Sequence, residues 1–368
     1  MQKLTDQTML GGIEMKNRFV RAAVGDHTDG GHLSEETYSL YLALAEGGAA
    51  LLMTGFAVVD PKEQIAGIFS LADDALVPEY QQLTQMVHEA GDKAAVKRAK
   101  SDACIGFSER EQARPSVKIV AQLAYLCGFA PVDRPLAPSD GKNIYTQIET
   151  FEMTLDEIGQ MKQYFASAAR RAKEMGFDGV EVHAAHGFLH HQFFSPQTNR
   201  RADLYGGSVE NRSRFLLETI EAIQNETGKD FPVMVKISVD DVPQEDFLYL
   251  ARQLDERGIA AIETSGSWMM HKPKERTYYH DATALIAANV KCRVIQTGGN
   301  LEFETLEEQL NSTEIDYFAF ARPFISEPDM VNKYLRGEIQ KPRCISCNFC
   351  ARNPKYICVF EKDKLNKA

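Results

Sequence analysis

"GVEVHAAHGFLHH", residues 179–191, carries the decision about the fold. Its first half is an apolar run with the β-branched character of a strand buried on both faces, and "HAAHGF" then turns at once towards a helical stretch. Runs of the same kind recur along the chain: "RFVRAA" (18–23), "AALLMTGFAV" (49–58), "VKIVAQLAY" (117–125), "PVMVKIS" (232–238), "AAIET" (260–264), "CRVIQTG" (292–298) and "YFAFAR" (317–322). Between them lie stretches with helical spacing, at about 35–46, 76–90, 154–175, 208–227, 243–257, 280–289, 302–311 and 327–337. Several open on helix-start signals: Ser34, Thr154 with Glu157 three residues on, and Ser208. Strands alternating with helices in this way predict an α/β protein, a (β/α)8 TIM barrel over 1–340, with a short cysteine-rich tail over 341–368. A doubly wound open sheet is the alternative.

On a barrel, chemistry belongs at the C-terminal ends of the strands. His183 ends its strand and His186 follows three residues later, so two imidazole N–H groups can point at one ligand atom and polarise a carbonyl oxygen. A metal there would want a carboxylate or a third histidine from another strand end, and none stands out. His190 and His191 fall further along and read as structural. The arginine-rich connection 195–215 reads as ion pairing at the barrel rim.

"TGGN" (297–300) ends the seventh strand and "ARP" (321–323) the eighth. Gly298 and Gly299 allow bare amides to approach an oxyanion, and Arg322 adds charge, as in a barrel phosphate site. Lys236, inside "VMVKIS", sits in an apolar run where an ammonium without a partner is costly. It reads as a Schiff-base lysine, a cofactor contact or half of a buried ion pair. Gln122 in "VAQLAY" poses the same problem for an amide and suits paired hydrogen bonds to a ring.

Composition narrows the function. With 44% hydrophobic and 25% charged residues the chain has an ordinary globular make-up. A net charge of -11 argues against nucleic acid or an acidic membrane surface as the main partner, because phosphate binding over a long footprint needs a basic field. No run reaches membrane-span length and the N-terminal stretch lacks signal-peptide regions, so a cytoplasmic protein acting on a small-molecule substrate is expected, with a homo-oligomer left open. Helix two is expected to end near 91, which makes 92–116 an insertion. The long loop 128–151 follows a strand end and is placed to form part of a substrate lid. Cys344, Cys347, Cys350 and Cys358 crowd the tail, a pattern that reads as thiols or a metal site.

"NRFVRAA", "TGFAVVDP", "VAQLAY", "FDGVEVHAAHGFLHHQFFSPQTNRRADLYGGSVENRSRF", "VMVKIS", "TGGN" and "FARPFISEPDM" resemble, in order and spacing, the Old Yellow Enzyme family of FMN-dependent NAD(P)H:flavin oxidoreductases. The likeness runs over roughly 10–350. It implies FMN across the barrel mouth, its phosphate on Gly299, Asn300, Ala321 and Arg322, its ring approached by the backbone of Ala23, Val24, Gly25 and Gly55, and its pyrimidine edge on Gln122 and Lys236. It also implies that His183 and His186 bind the carbonyl oxygen of an α,β-unsaturated substrate, with NADH or NADPH reducing the flavin.

Three departures qualify the resemblance. Phe188 stands where the family has a proton-donating tyrosine, which turns attention to Tyr125, His27 or water. Gly25 stands where a hydroxyl or thiol side chain often lies. The tail motif "CISCNFCARNPKYIC" resembles the iron–sulfur motif of larger relatives of the dienoyl-CoA reductase and trimethylamine dehydrogenase type, with shorter gaps, and a second flavin domain like theirs is not expected; an iron–sulfur cluster, zinc or no metal are all open. The expected activity is reduction of a small activated alkene, quinone-like or nitro compound. The alternatives are an FMN-dependent dehydrogenase or demethylase running oxidatively, a catalytically degenerate flavin-binding electron-transfer module, and, on fold alone, a barrel aldolase using Lys236.

Overall fold

The structure, a computed structural model, describes residues 1–103, 116–268, 276–352 and 355–362, with side chains over 94–103 excepted. Eight parallel strands form a closed ring: β1 (Phe19–Arg21), β2 (Leu51–Val58), β3 (Lys118–Ala124), β4 (Gly179–Ala184), β5 (Val233–Ser238), β6 (Ala261–Ser265), β7 (Arg293–Thr297) and β8 (Tyr317–Phe320). β1 pairs with β8 on one side and β2 on the other, which closes the barrel. Around it lie α1 (Glu35–Glu46), α2 (Val77–Ala103), α3 (Leu155–Glu174), α4 (Val209–Thr227), α5 (Gln244–Glu256), α6 (His280–Ala287), α7 (Phe303–Ser312) and α8 (Met330–Leu335). The predicted (β/α)8 order is therefore the observed one.

Both faces of each strand are covered, which is why the strands read as nearly unbroken apolar runs. Inside the ring, Val20, Met53, Val120, Met234, Ile295 and Ala319 pack together. Leu10, Ile13 and Met15 join them from an antiparallel hairpin, Thr8–Leu10 with Ile13–Met15, along with Ala260 at the entrance to β6. The hairpin thus closes the N-terminal end, and the open mouth is left at the strand C-termini.

The helix starts follow the signals in the sequence. Ser34 and Thr154 each accept from the backbone N–H three residues on, and the side chains of Thr37 and Glu157 return the bond, making two capping boxes. α2 departs from expectation: it continues as one helix to Ala103 instead of ending near 91, so the first part of the predicted 92–116 insertion is an extension of that helix, and 104–115 lie outside the described residues. The rim connection behaves as read: Arg201 pairs with Asp203 (2.5 Å) and donates to the Met153 carbonyl (2.7 Å), and Arg212 pairs with Asp246.

Candidate active site

Side chains along a strand alternate between faces, so a few positions point into the barrel. Parallel register sets Glu181 beside Gln122, His183 beside Lys236, and Lys236 beside Glu263. The outcome is a buried polar chain just below the mouth. Gln122 Nε2 donates to Glu181 Oε2 (2.5 Å), while Lys236 Nζ (2.7 Å) and Thr297 Oγ1 (2.5 Å) both donate to Glu263 Oε1. Burial pushes both carboxyls upward. For Glu263 the adjacent Lys236 ammonium, together with hydrogen bonds from Glu181 and Thr297, more than offsets this and keeps it ionised; Glu181 is driven further up by the Glu263 charge and stays protonated. Glu181 Oε1 and Glu263 Oε2 have no conventional donor, and the retained proton of Glu181 serves them both. Lys236 is therefore not unpaired: of the three roles open to it, the structure makes it half of a buried ion pair whose side chain also lines the cavity above.

The four clustered histidines divide two and two. His183 is buried at the end of β4; its Nδ1 accepts from the Ala185 amide (3.2 Å), and burial, followed by the nearby His186 and Lys236, holds its pKa well below the usual imidazole value. A neutral ring with Nδ1 accepting must carry its proton on Nε2. His186 lies with its ring centroid 4.8 Å from that of His183, in a left-handed backbone conformation (φ 58°), and its Nε2 meets Ser265 Oγ at 2.9 Å. His191 holds the turn from behind, its Nδ1 accepting from Gly187 N (2.9 Å) and its Nε2 facing Asp241 (3.1 Å).

His190 is buried between Phe165 and Phe215, and Thr219 Oγ1, which donates to the Phe215 carbonyl, accepts from its Nε2. Burial lowers its pKa to about 3. A depressed histidine contributes stability that is present above its unfolded pKa near 6.5 and lost as pH falls through the folded value, at about 1.4 kcal/mol per pH unit. A His190→Phe variant, which leaves Thr219 satisfied, is accordingly expected to lose roughly 2 kcal/mol less stability than the parent between pH 6.5 and 5 by urea unfolding. Parallel pH slopes would contradict this assignment.

Above this floor lies a cavity of about 320 Å³. It is lined by Gly298, Gly299, Asn300, Ala321 and Arg322 at and after the ends of β7 and β8, by Ala23, Val24 and Gly25 after β1, by Gln122 and Lys236 of β3 and β5, and by His183, His186, Phe56 and Trp268. Gly299 has φ 75°, and an added Cβ would come within 2.6 Å of Thr277 N, so only glycine leaves this backbone bare. The Gln122 Oε1 atom is buried and has no partner among the described residues, an acceptor awaiting a ligand N–H. An oxyanion end, a donor–acceptor edge of Gln122 and Lys236, and apolar walls between them fit FMN.

Three sequence candidates fall outside this cavity. Tyr125 follows the last residue of β3 on the outward face; it is buried in the helix-facing core, and its oxygen accepts from the Leu136 amide at 3.3 Å, so it cannot serve as a proton donor to the mouth. Gly55 sits at an irregularity of β2 between Met53 and Phe56, and its amide is taken by Asp26 Oδ2 (2.6 Å), a buried carboxylate paired with Arg21; it does not line the cavity. His27 does not line it either. Glu181, Glu263, Thr297, Ser265, Trp268 and Tyr356 were not anticipated. Glu181 and Glu263 carried the same signal as Lys236, a charge inside an apolar run.

In the tail, Cys344, Cys347, Cys350 and Cys358 line one small pocket beside Arg322 and Asn348. Among the described residues no three histidine, cysteine or carboxylate groups converge to hold a metal ion. The four thiols share that pocket without a grouping of three ligands such as an iron–sulfur or zinc centre has among the described residues. Burial raises the pKa values of Cys344 and Cys350, which favours neutral thiols.

A parallel barrel whose mouth carries glycine amides beside Arg322, an unpartnered Gln122 oxygen beside Lys236 and an imidazole pair has the make-up of a flavin-binding barrel. The chain belongs to the NADH:flavin oxidoreductase / NADH oxidase family, whose model matches residues 8–340. It is 30% identical over 364 residues to an NADH oxidase of Thermoanaerobacter brockii, covering 94% of this chain and 52% of that protein. It is also 30% identical over 350 residues to an NADPH dehydrogenase of Bacillus velezensis, covering 90% of this chain and 94% of that one. An Old Yellow Enzyme homologue from Zymomonas mobilis shares the fold, with a TM-score of 0.76 at 24% identity over 97% of each chain. The chain thus spans about half the length of the NADH oxidase and nearly all of the NADPH dehydrogenase. Among the described residues no helix is long and apolar enough to cross a membrane.

Proposed function

We propose that the cavity binds FMN and that the protein moves hydride from NADH or NADPH to a small activated alkene, quinone-like or nitro compound. The observation that carries this reading is that one cavity is lined by Arg322 with Gly298 and Gly299, by Gln122, whose buried Oε1 lacks a partner among the described residues, with Lys236, and by His183 with His186. Bound there, FMN supplies reversible hydride storage. Gly298, Gly299, Asn300 and Arg322 would hold its phosphate, and Gln122 Oε1 with Lys236 Nζ its pyrimidine edge. The His183 Nε2–H, aided by His186, draws electron density onto a substrate carbonyl oxygen.

The substrate end is aromatic. Phe188 packs edge-on against His183 (centroids 4.6 Å) and Phe56 (5.0 Å), and Tyr145 and Trp268 stack face to face at 5.2 Å and 5°. Of these rings Phe56 and Trp268 line the cavity, with Phe188 and Tyr145 packed behind them, and they favour a planar conjugated carbonyl compound. Removing the ring in Trp268→Ala is expected to lower kcat/KM for cinnamaldehyde about 2- to 12-fold relative to cyclohexenone, the worth of one aromatic contact. An equal fall for both compounds would count against aromatic recognition.

The buried Phe188 favours a second reading. With no O–H at that position, an oxidative dehydrogenase or demethylase reaction, which needs no proton delivered to carbon, also suits the site. Anaerobic mixing separates the two: the NADH-reduced protein is reoxidised by an enone on the first reading, whereas on the second a secondary or tertiary amine reduces the oxidised protein and the enone does nothing.

A further inference from the structure

We propose that Tyr356, carried by the cysteine-bearing tail, is the proton donor of the active site; this rests on the alkene-reducing reading above. The tail lies across the cavity: Ser346, Asn348, Cys350, Ala351 and Tyr356 line it. Arg322, at the phosphate end, is tied to the tail through Asn348 Oδ1 and, at 3.4 Å, the Ser346 carbonyl. The segment is therefore a wall of the site.

Gly25 and Tyr356 are sterically matched. A Cβ built on Gly25 would overlap the Tyr356 ring carbon Cζ and its hydroxyl, so the absent side chain at 25 is what admits the phenol. The ring is steadied edge-on by His27, with centroids 6.2 Å apart. Burial, with a smaller push from the Asp26 carboxylate, raises the Tyr356 pKa, and the group keeps its proton at neutral pH. Of the other hydroxyls that line the cavity, Ser265 is bonded to His186, Thr297 donates to Glu263, and Tyr278 accepts from Arg322 at 3.3 Å. The Tyr279 hydroxyl lies against Gly266 at the end of β6. Phe188 has no proton to give, and Tyr125 is outside.

The step balances simply. A hydride that originates from NADH or NADPH, oxidised to NAD(P)+, adds to the β-carbon of the enone and the C=C electron pair shifts towards the oxygen held by His183 and His186; as the C=O re-forms, that pair takes the proton of the Tyr356 O–H bond to make a C–H bond at the α-carbon. Water then returns a proton to the phenolate. A quinone or ferricyanide accepts electrons without a new C–H bond and does not need Tyr356.

The test is a stopped-flow comparison of wild-type holoprotein with Tyr356→Phe. Reduction by NADH and reoxidation by a quinone are expected to stay within about threefold, while reoxidation by cinnamaldehyde slows about 100-fold, the scale of general acid catalysis. Equal enone rates in the two proteins would overturn the proposal and leave the alkene-reducing reading intact. A wild-type protein that quinones reoxidise but no enone does would overturn that reading, and the proton-donor role with it. Placement is checked without flavin chemistry: Gly25→Ala should lower the melting temperature in the wild type and do so less in a Tyr356→Ala background. Equal effects in both backgrounds would remove the matched pair and the proposal.

Discussion

Replacing Lys236 with Met is expected to destabilise the protein by roughly 3–5 kcal/mol, because it leaves an ionised Glu263 buried without its cation. Glu263 is fully buried, and its other donor, Thr297 Oγ1, is neutral. Glu181 cannot take the place of the cation, since it supplies only a shared proton. The double variant Lys236→Met/Glu263→Gln removes both charges and should regain most of the loss. Neither variant should bind FMN as the parent does, since each lacks the cation at the Gln122–Lys236 edge. Urea unfolding of the apoproteins reads the first effect and flavin release the second. A single variant as stable as the parent would mean that Lys236 and Glu263 are not the coupled buried pair described.

The second large effect concerns the imidazoles. His183→Ala should lower kcat/KM for an enone about 10²- to 10³-fold, the worth of one donor aimed at developing negative charge. His186→Ala should act in the same direction and free the Ser265 hydroxyl. Because burial and neighbouring positive charge keep the His183 pKa low, its N–H donor is present across neutral pH, and its titration should leave no inflection in enone turnover between about pH 6 and 8. An enone kcat/KM unchanged in His183→Ala would remove this residue from carbonyl binding.

The barrel was legible because its strands are covered on both faces and the sequence has no reason to alternate. The same property exposed Lys236 and Gln122 as polar letters in apolar runs. Glu181 in "GVEVH" and Glu263 in "AAIET" were equally visible, but their meaning depends on register between neighbouring strands, which a single run does not display. Tyr125 was misplaced by one step of alternation: Gln122 faces inward, so the residue three further on faces the helices. Gly55 was misplaced because an irregularity in β2 and the buried Asp26 claimed its amide. Tyr356 could not be found from its surroundings in sequence, since its relation to Gly25 spans almost the whole chain. Gly25, in sequence only the absence of a hydroxyl or thiol side chain, leaves the space that the tail fills.

The most direct measurement is the identity and amount of chromophore released when the purified protein is denatured. The account predicts a yellow protein that yields FMN at about one equivalent per chain, and an Arg322→Ala variant that retains far less after gel filtration, as expected for a phosphate held by backbone amides and one guanidinium. A colourless protein whose folded form takes up no added FMN would contradict it.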